Sequence, residues 1–170
     1  MQKKKILFVC LGNICRSPMM EYVFRAEAES RGVADMFEAA SAGTSGEEAG
    51  SPVYPPARRE LAAHGIGCDG KRARKLTEDD YRRFDLVVTA EERNSRAASR
   101  IFGGDPDGKI CRLLDFCARP RDIDDPWWTG DFKTAYNDIL GSERTFGQID
   151  RKMTRAKEYA KDARFCAFFV

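Results

Sequence analysis

A chain of 170 residues with 42% hydrophobic and 33% charged side chains has the composition of a soluble globular protein, and it is long enough to bury a core without covalent staples. Its formal charge of +2 is too small to argue for nucleic acid or a membrane surface as partner. No stretch approaches the ~18 apolar residues of a membrane span, and the apolar run after Lys5 is shorter than a signal-peptide core.

The expectation is one domain over residues 1–170 in the cytoplasm. Cys10, Cys15, Cys68, Cys111, Cys117 and Cys166 are then expected as reduced thiols. Zinc is a poor reading, because His64 is the single histidine and both close cysteine pairs are spaced wider than a metal knuckle. No metal or other cofactor is expected.

Ile6-Leu7-Phe8-Val9 predicts a short buried strand over residues 5–10. Ser17 reads as a helix N-cap with Pro18 in the first helical position. Met20, Val23, Phe24 and Ala28 then share one helical face until Gly32. Phe37 to Ala42 is a second strand, broken by Gly43-Thr44-Ser45-Gly46, and a helix runs from near Pro56 to Gly65.

Thr77 caps a short helical turn through Arg83, Phe84 to Thr89 is a third strand, and Glu91 to Phe102 a helix. After the turn cluster Gly103 to Gly108, Lys109 to Leu114 gives a fourth strand. Residues 115–130 show no periodicity, and a loop of that length in a compact domain is uncommon unless it is functional. Helices over 131–140 and 142–163 close the chain. Alternating strands and helices predict an α/β fold: a four-stranded parallel sheet covered on both faces, with its ligand site at the carboxyl ends of the strands.

One such end carries Cys10-Leu11-Gly12-Asn13-Ile14-Cys15-Arg16-Ser17. The string sets a thiol and a planar five-donor cation around one small loop at a helix N-terminus, where free N–H groups and the dipole favour anions. A thiol held there is expected as the reactive thiolate. The backbone amides of 11–16 and the Arg16 fork suit three phosphoryl oxygens, and Ser17 is placed to donate to the Cys10 sulfur. Such a site acts on a phosphoryl group once an acid for the leaving oxygen is added.

Val9 to Met19, read as Val-Cys-Leu-Gly-Asn-Ile-Cys-Arg-Ser-Pro-Met, resembles the active-site signature of the low-molecular-weight protein tyrosine phosphatases. Ser41-Ala42-Gly43-Thr44, Ala63-His64-Gly65-Ile66, Phe84-Asp85-Leu86-Val87 and Asp125-Pro126-Trp127-Trp128 extend the resemblance over about residues 5–150. It implies a three-layer α/β/α fold with a phosphate-binding loop between the first strand and first helix. It also implies phosphotyrosine hydrolysis through a phosphocysteine intermediate. Cys10 would be the nucleophile, Arg16 the phosphate binder and Asp125 the general acid and base, with Asp124 its adjacent competitor.

Asn13, Ser17 and Ser41 would brace the loop. Leu11, Gly12, Asn13, Ile14, Cys15 and Ser17 would meet the substrate together with the rim residues Glu47, Trp127 and Trp128. The partners implied are a phosphotyrosine-containing protein or peptide and inorganic phosphate as product, with the chain a monomer or weak dimer. Cys15 would either form a reversible disulfide with Cys10 or be a structural thiol. The tryptophan pair would either wall the substrate ring or cover the core edge.

Several positions depart from the family pattern. Glu47 stands where an aromatic wall residue is usual, which would weaken binding of a dianionic substrate or shift preference towards basic peptide flanks. Glu91 replaces an aspartate in the stretch that keeps Asn94, and Lys71 lies near the position of a missing second histidine. Ile14, a branched apolar residue, favours a flat phenyl ring over phosphoarginine. Thiol-dependent arsenate reduction, with Cys111 and Cys117 as relay, and a catalytically silent oxyanion-binding module are the competing readings.

Overall fold

Strand β1 (Lys4–Cys10) runs through the centre of the molecule, and every residue from Ile6 to Cys10 is buried. The structure, a computed structural model, describes residues 3–141 together with 147, 149, 151 and 153. Such a continuous apolar strand needs cover on both faces, and side-chain alternation divides it cleanly. Ile6, Phe8 and Cys10 face one apolar cluster, while Leu7 and Val9 face the other.

Four strands pair in the order β2-β1-β3-β4, all parallel: β1, β2 (Phe37–Gly43), β3 (Leu86–Thr89) and β4 (Ile110–Arg112). Helix α1 (Arg16–Ser30) returns the chain from β1 to β2 on one side. Helices α2 (Pro55–Ala63) and α3 (Glu78–Arg83) lie in the connection to β3, the strand that flanks β1 opposite β2. The strand order reverses direction at β1, so the crevice for a ligand opens at its carboxyl end, where Cys10 stands.

Helix α4 (Glu92–Phe102) joins β3 to β4, and Gly103 closes it with φ 75°. A one-turn helix α5 (Pro126–Thr129) and helix α6 (Phe132–Leu140) follow. On one face of the sheet, Met19, Met20, Val23 and Phe24 of α1 pack with Ala57 and Leu61 of α2 and Ala135, Tyr136 and Ile139 of α6. On the other, Tyr81, Ala98 and Phe102 from α3 and α4 cover Leu7, Val9 and Val87. The result is the expected three-layer α/β/α arrangement.

The structure corrects four local expectations. Helix α1 begins at Arg16, with Cys15 in the N-cap position, so Ser17 is not a cap; its hydroxyl is turned inward to Cys10. Strand β3 starts at Leu86, because the chain before it is still leaving α3, whose capping residue at this end is Phe84. Strand β4 ends at Arg112, where Leu113–Phe116 winds into a 3₁₀ turn that drops Leu113 and Leu114 into the core. The aperiodic 115–130 segment contains the short helix α5, capped by Asp125. The helix expected over 142–163 lies outside the described residues except at 147, 149, 151 and 153, of which Ile149 and Met153 are buried in the core.

Candidate active site

The loop from Cys10 to Arg16 wraps around the Cys10 sulfur. The backbone N–H of Asn13 points at Sγ from 3.3 Å, and the Ser17 hydroxyl lies 3.0 Å away. Asn13 turns the loop with φ 60°, the only positive φ outside glycine among the described residues. Asparagine tolerates this left-handed conformation better than most side chains. Its amide then locks the turn, donating to Ser17 Oγ and to Ser41 Oγ, both at 2.9 Å, and accepting from the Arg74 N–H at 3.0 Å.

Neighbouring backbone braces the loop from outside. The N–H groups of Thr44 and Ser45 donate to the carbonyls of Cys10 and Leu11, and Tyr54 N–H donates to Ile14. Gly43 lies so close that a Cβ there would stand 2.7 Å from the Leu11 carbonyl oxygen. Asp80 holds Arg74 with two 2.9 Å bonds. Burial pushes the Asp80 carboxyl up, but bonds from Arg74 and Thr77 outweigh it and leave the group below its ordinary value.

Arg16 is 1% exposed although it is a full charge. A buried guanidinium needs its donors satisfied. Nη1 donates to the Ile123 carbonyl at 2.9 Å, and Nη2 lies 2.7 Å from Asp125 Oδ2 and 3.0 Å from Glu91 Oε1. Asn94, itself buried, donates to the same Glu91 oxygen. The long segment is tied to the sheet by backbone: Ile123 N–H donates to Ala90, whose N–H donates to Val9. These two bonds bring Asp125 over the loop from more than a hundred residues away.

Cys10, Leu11, Gly12, Ile14, Cys15, Arg16, Ser45, Glu47, Glu48, Asp125, Trp127 and Trp128 line one pocket of about 230 Å³. Asn13, Ser17 and Ser41 lie behind the loop, fully buried, and take no part in the wall. Trp127 is half exposed and packs on Tyr54, with ring centroids 4.7 Å apart; Trp128 is 80% exposed. Both rings stand at the mouth rather than covering core. Burial pushes the Cys15 thiol up to about 12, with Cys10 and Asp125 adding to the effect and Arg16 opposing it. Cys10 and Cys15 are both free thiols.

Cys111 and Cys117 belong to the core around β4 and are absent from the pocket wall. Among the described residues, no cluster of His, Cys, Asp or Glu is arranged to hold a metal ion. No described helix is long and apolar enough to cross a membrane.

Ser45 and Glu48 on the wall, Gly43 against the loop, and the contacts of Glu91 and Ile123 with Arg16 were not among the site features expected from the sequence. Glu48 was detectable as the neighbour of Glu47. The bonds from Glu91 and Ile123 depend on tertiary packing and leave no local signal.

A thiol at the first turn of a phosphate-sized loop, with a buried arginine and a carboxylate facing it, defines a thiol-based phosphomonoesterase site. A sequence model of the low molecular weight phosphotyrosine protein phosphatase family matches residues 5–159. The chain is 35% identical over 150 residues to the low molecular weight protein-tyrosine-phosphatase YfkJ of Bacillus subtilis, covering 86% of this chain and 96% of that protein. It is 33% identical over 151 residues to the human low molecular weight phosphotyrosine protein phosphatase, covering 84% and 93% of the two chains. The crystal structure of YfkJ superposes with a TM-score of 0.84 at 33% identity, covering 92% of this chain and 98% of that one. The chain belongs to the low molecular weight protein tyrosine phosphatase family.

Proposed function

We propose that the chain hydrolyses phosphotyrosine in proteins or peptides in two steps through a phosphocysteine. The Cys10 thiolate attacks phosphorus, and the bond to the tyrosyl oxygen breaks as Asp125 gives that oxygen its proton. The Asp125 carboxylate then takes a proton from water as the water oxygen attacks phosphorus. Inorganic phosphate leaves, and Cys10 is restored as thiolate. Loop amides and the Arg16 fork hold the three non-bridging oxygens through both steps.

The observation that carries this reading is the convergence of Cys10, Arg16 and Asp125 on one pocket wall, with Arg16 Nη2 2.7 Å from Asp125 Oδ2. A phosphoryl group entering the loop takes over the arginine donors and frees the carboxyl for the leaving oxygen. Ile14, Trp127 and Trp128 supply apolar surface for the phenyl ring above the loop. The substrate is a phosphotyrosine side chain presented at the surface of a protein in the same compartment.

Turnover of p-nitrophenyl phosphate by purified variants tests the assignment. Cys10→Ser is expected to abolish it, and Asp125→Ala to lower kcat by ~10²–10⁴ while inorganic phosphate still inhibits. A Cys10→Ser protein as fast as wild type would sink the nucleophile, and an unchanged Asp125→Ala would sink the acid.

A further inference from the structure

Behind the loop lies a charged group that the two chemical steps do not use. Glu21 of α1 is buried, its side chain 3% exposed. Its Oε1 is 2.6 Å from Arg25 Nη2, and its Oε2 accepts from Ser41 Oγ at 2.6 Å and lies 3.4 Å from Lys71 Nζ. Lys71 also donates to the Ser41 carbonyl at 3.2 Å. Burial pulls the Lys71 amine below an ordinary lysine, while Glu21 draws it back up. A carboxylate at this depth is costly unless donors surround it, and these donors come from α1, from β2 and from the segment after α2.

The polarity of the contacts matters more than their number. An ionised carboxylate can only accept, so Ser41 must donate to it. The Ser41 oxygen is then left to accept from Asn13 Nδ2, and the second hydrogen of that amide goes to Ser17 Oγ. Asn13 Oδ1 is occupied by the Arg74 N–H, which keeps the amide from turning over. Ser17, accepting from Asn13, keeps its own proton for Cys10 Sγ at 3.0 Å; among the described residues its one other acceptor, the Ala42 carbonyl, lies at 3.4 Å.

We propose that Glu21 is a positioning residue for the nucleophile: its carboxylate fixes the direction of the Ser41–Asn13–Ser17 row, so that the Ser17 hydroxyl donates to the Cys10 sulfur. The proposal rests on the reading of Cys10 as nucleophile. An amide in place of Glu21 offers a donor as well as an acceptor. The row then loses its single polarity, and Ser17 is free to turn its proton to Ala42. The charged and titratable groups facing Glu21 are Arg25 and Tyr22 on its own helix and Lys71 from the segment after α2, with Arg74 beyond Lys71. Those around Cys10 are Cys15, Arg16, Glu47, Glu48 and Asp125, with Glu91 behind Arg16.

The test is the pH dependence of Cys10 alkylation by iodoacetate in the full-length protein, read beside kcat and competitive inhibition by inorganic phosphate. Glu21→Gln is expected to raise the midpoint of alkylation by about one pH unit, a tenfold change in thiolate formation. It should also lower kcat about tenfold while leaving phosphate inhibition within about threefold. Glu21→Asp, which still only accepts, should recover part of the shift. Ser41→Ala cuts the same row while leaving the Glu21 charge in place with Arg25 and Lys71, should reproduce the shift, and decides the matter if Glu21→Gln does not fold. An unmoved midpoint in Glu21→Gln or in Ser41→Ala, where Ser17→Ala does move it, would overturn the proposal. Alkylation needs no turnover, so a failure of the phosphatase reading itself would show separately, as undiminished hydrolysis by Cys10→Ser.

Discussion

Gly43→Ala isolates the contact between β2 and the phosphate loop. An added Cβ would stand 2.7 Å from the Leu11 carbonyl oxygen, 3.0 Å from the Gly12 carbonyl carbon and 3.1 Å from the Asn13 nitrogen. Ordinary contact begins near 3.4 Å, so the shortest distance falls about 0.7 Å short. All three atoms are backbone and cannot rotate away. Gly43 cannot retreat either, because it pairs with Cys10 in the β1–β2 register and bonds to Arg74 and Leu76. The loop must therefore move.

Overpacking of this kind costs ~1–3 kcal/mol, which for a chain of this size lowers Tm by roughly 3–10 °C. Displacing reacting groups by about 1 Å costs on the order of 10² in rate. A shift of 0.7 Å is thus expected to lower kcat/KM for p-nitrophenyl phosphate by about 10- to 100-fold, with weakened phosphate inhibition. Gly46→Ala is the control, since its Cβ would meet only the flexible Lys75 side chain, 3.2 Å away at Cδ. A Gly43→Ala protein with kcat and phosphate inhibition within twofold of wild type would refute the close-approach argument.

At neutral pH, iodoacetamide followed by peptide mass analysis should label Cys10, with inorganic phosphate protecting it, and leave Cys15 unlabelled. A thiol at about 12 carries about a thousandfold less thiolate than one at the ordinary 9.0, and Cys15 is also buried. Asp80→Asn should cost about 1–3 kcal/mol at pH 7, the worth of bonds between charged groups. The Asp80 carboxyl is lower in the folded chain than in the unfolded one, so its contribution is fully present above ~pH 4 and is lost as pH falls through the folded value. The melting-temperature gap between wild type and Asp80→Asn should therefore persist at neutral pH and close only in acid. At the mouth, Glu47 and Glu48 flank the pocket without an ion partner among the described residues. Replacing glutamates by arginines beside phosphotyrosine should raise kcat/KM about tenfold at low salt, an advantage that shrinks at high salt and in Glu47→Gln/Glu48→Gln.

The parts of this molecule legible in the sequence are those set by local order. The apolar run before Cys10 could only be a covered strand, and the helical spacing of Met20, Val23, Phe24 and Ala28 marked the face that α1 buries. The loop string marked the thiol and the arginine because both belong to one turn of chain. Asp125 required the resemblance, since an aspartate before proline is locally an ordinary turn residue. Ser17 was expected both against the sulfur, where its hydroxyl lies 3.0 Å from Sγ, and as a cap, which it is not. A serine beside a helix start satisfies either partner, and only the fold shows which one is nearer. Glu21 was unreadable. A glutamate inside a helix looks like a solvated face until Ser41 and Lys71, from elsewhere in the chain, are brought against it.

Backbone bonds tie the site across three adjacent strands, and this bears on how the chain acquires activity. Cys10 belongs to β1, its loop is buttressed by Gly43 of β2, and Arg16 hangs on Ile123, which bonds through Ala90 past the end of β3 to Val9. None of these parallel pairings is local, and each closes a long stretch of chain before any contact is returned. The loop is thus expected to reach its geometry only as the sheet closes around it. Turnover of p-nitrophenyl phosphate is therefore expected to return no earlier than the sheet in a refolding experiment.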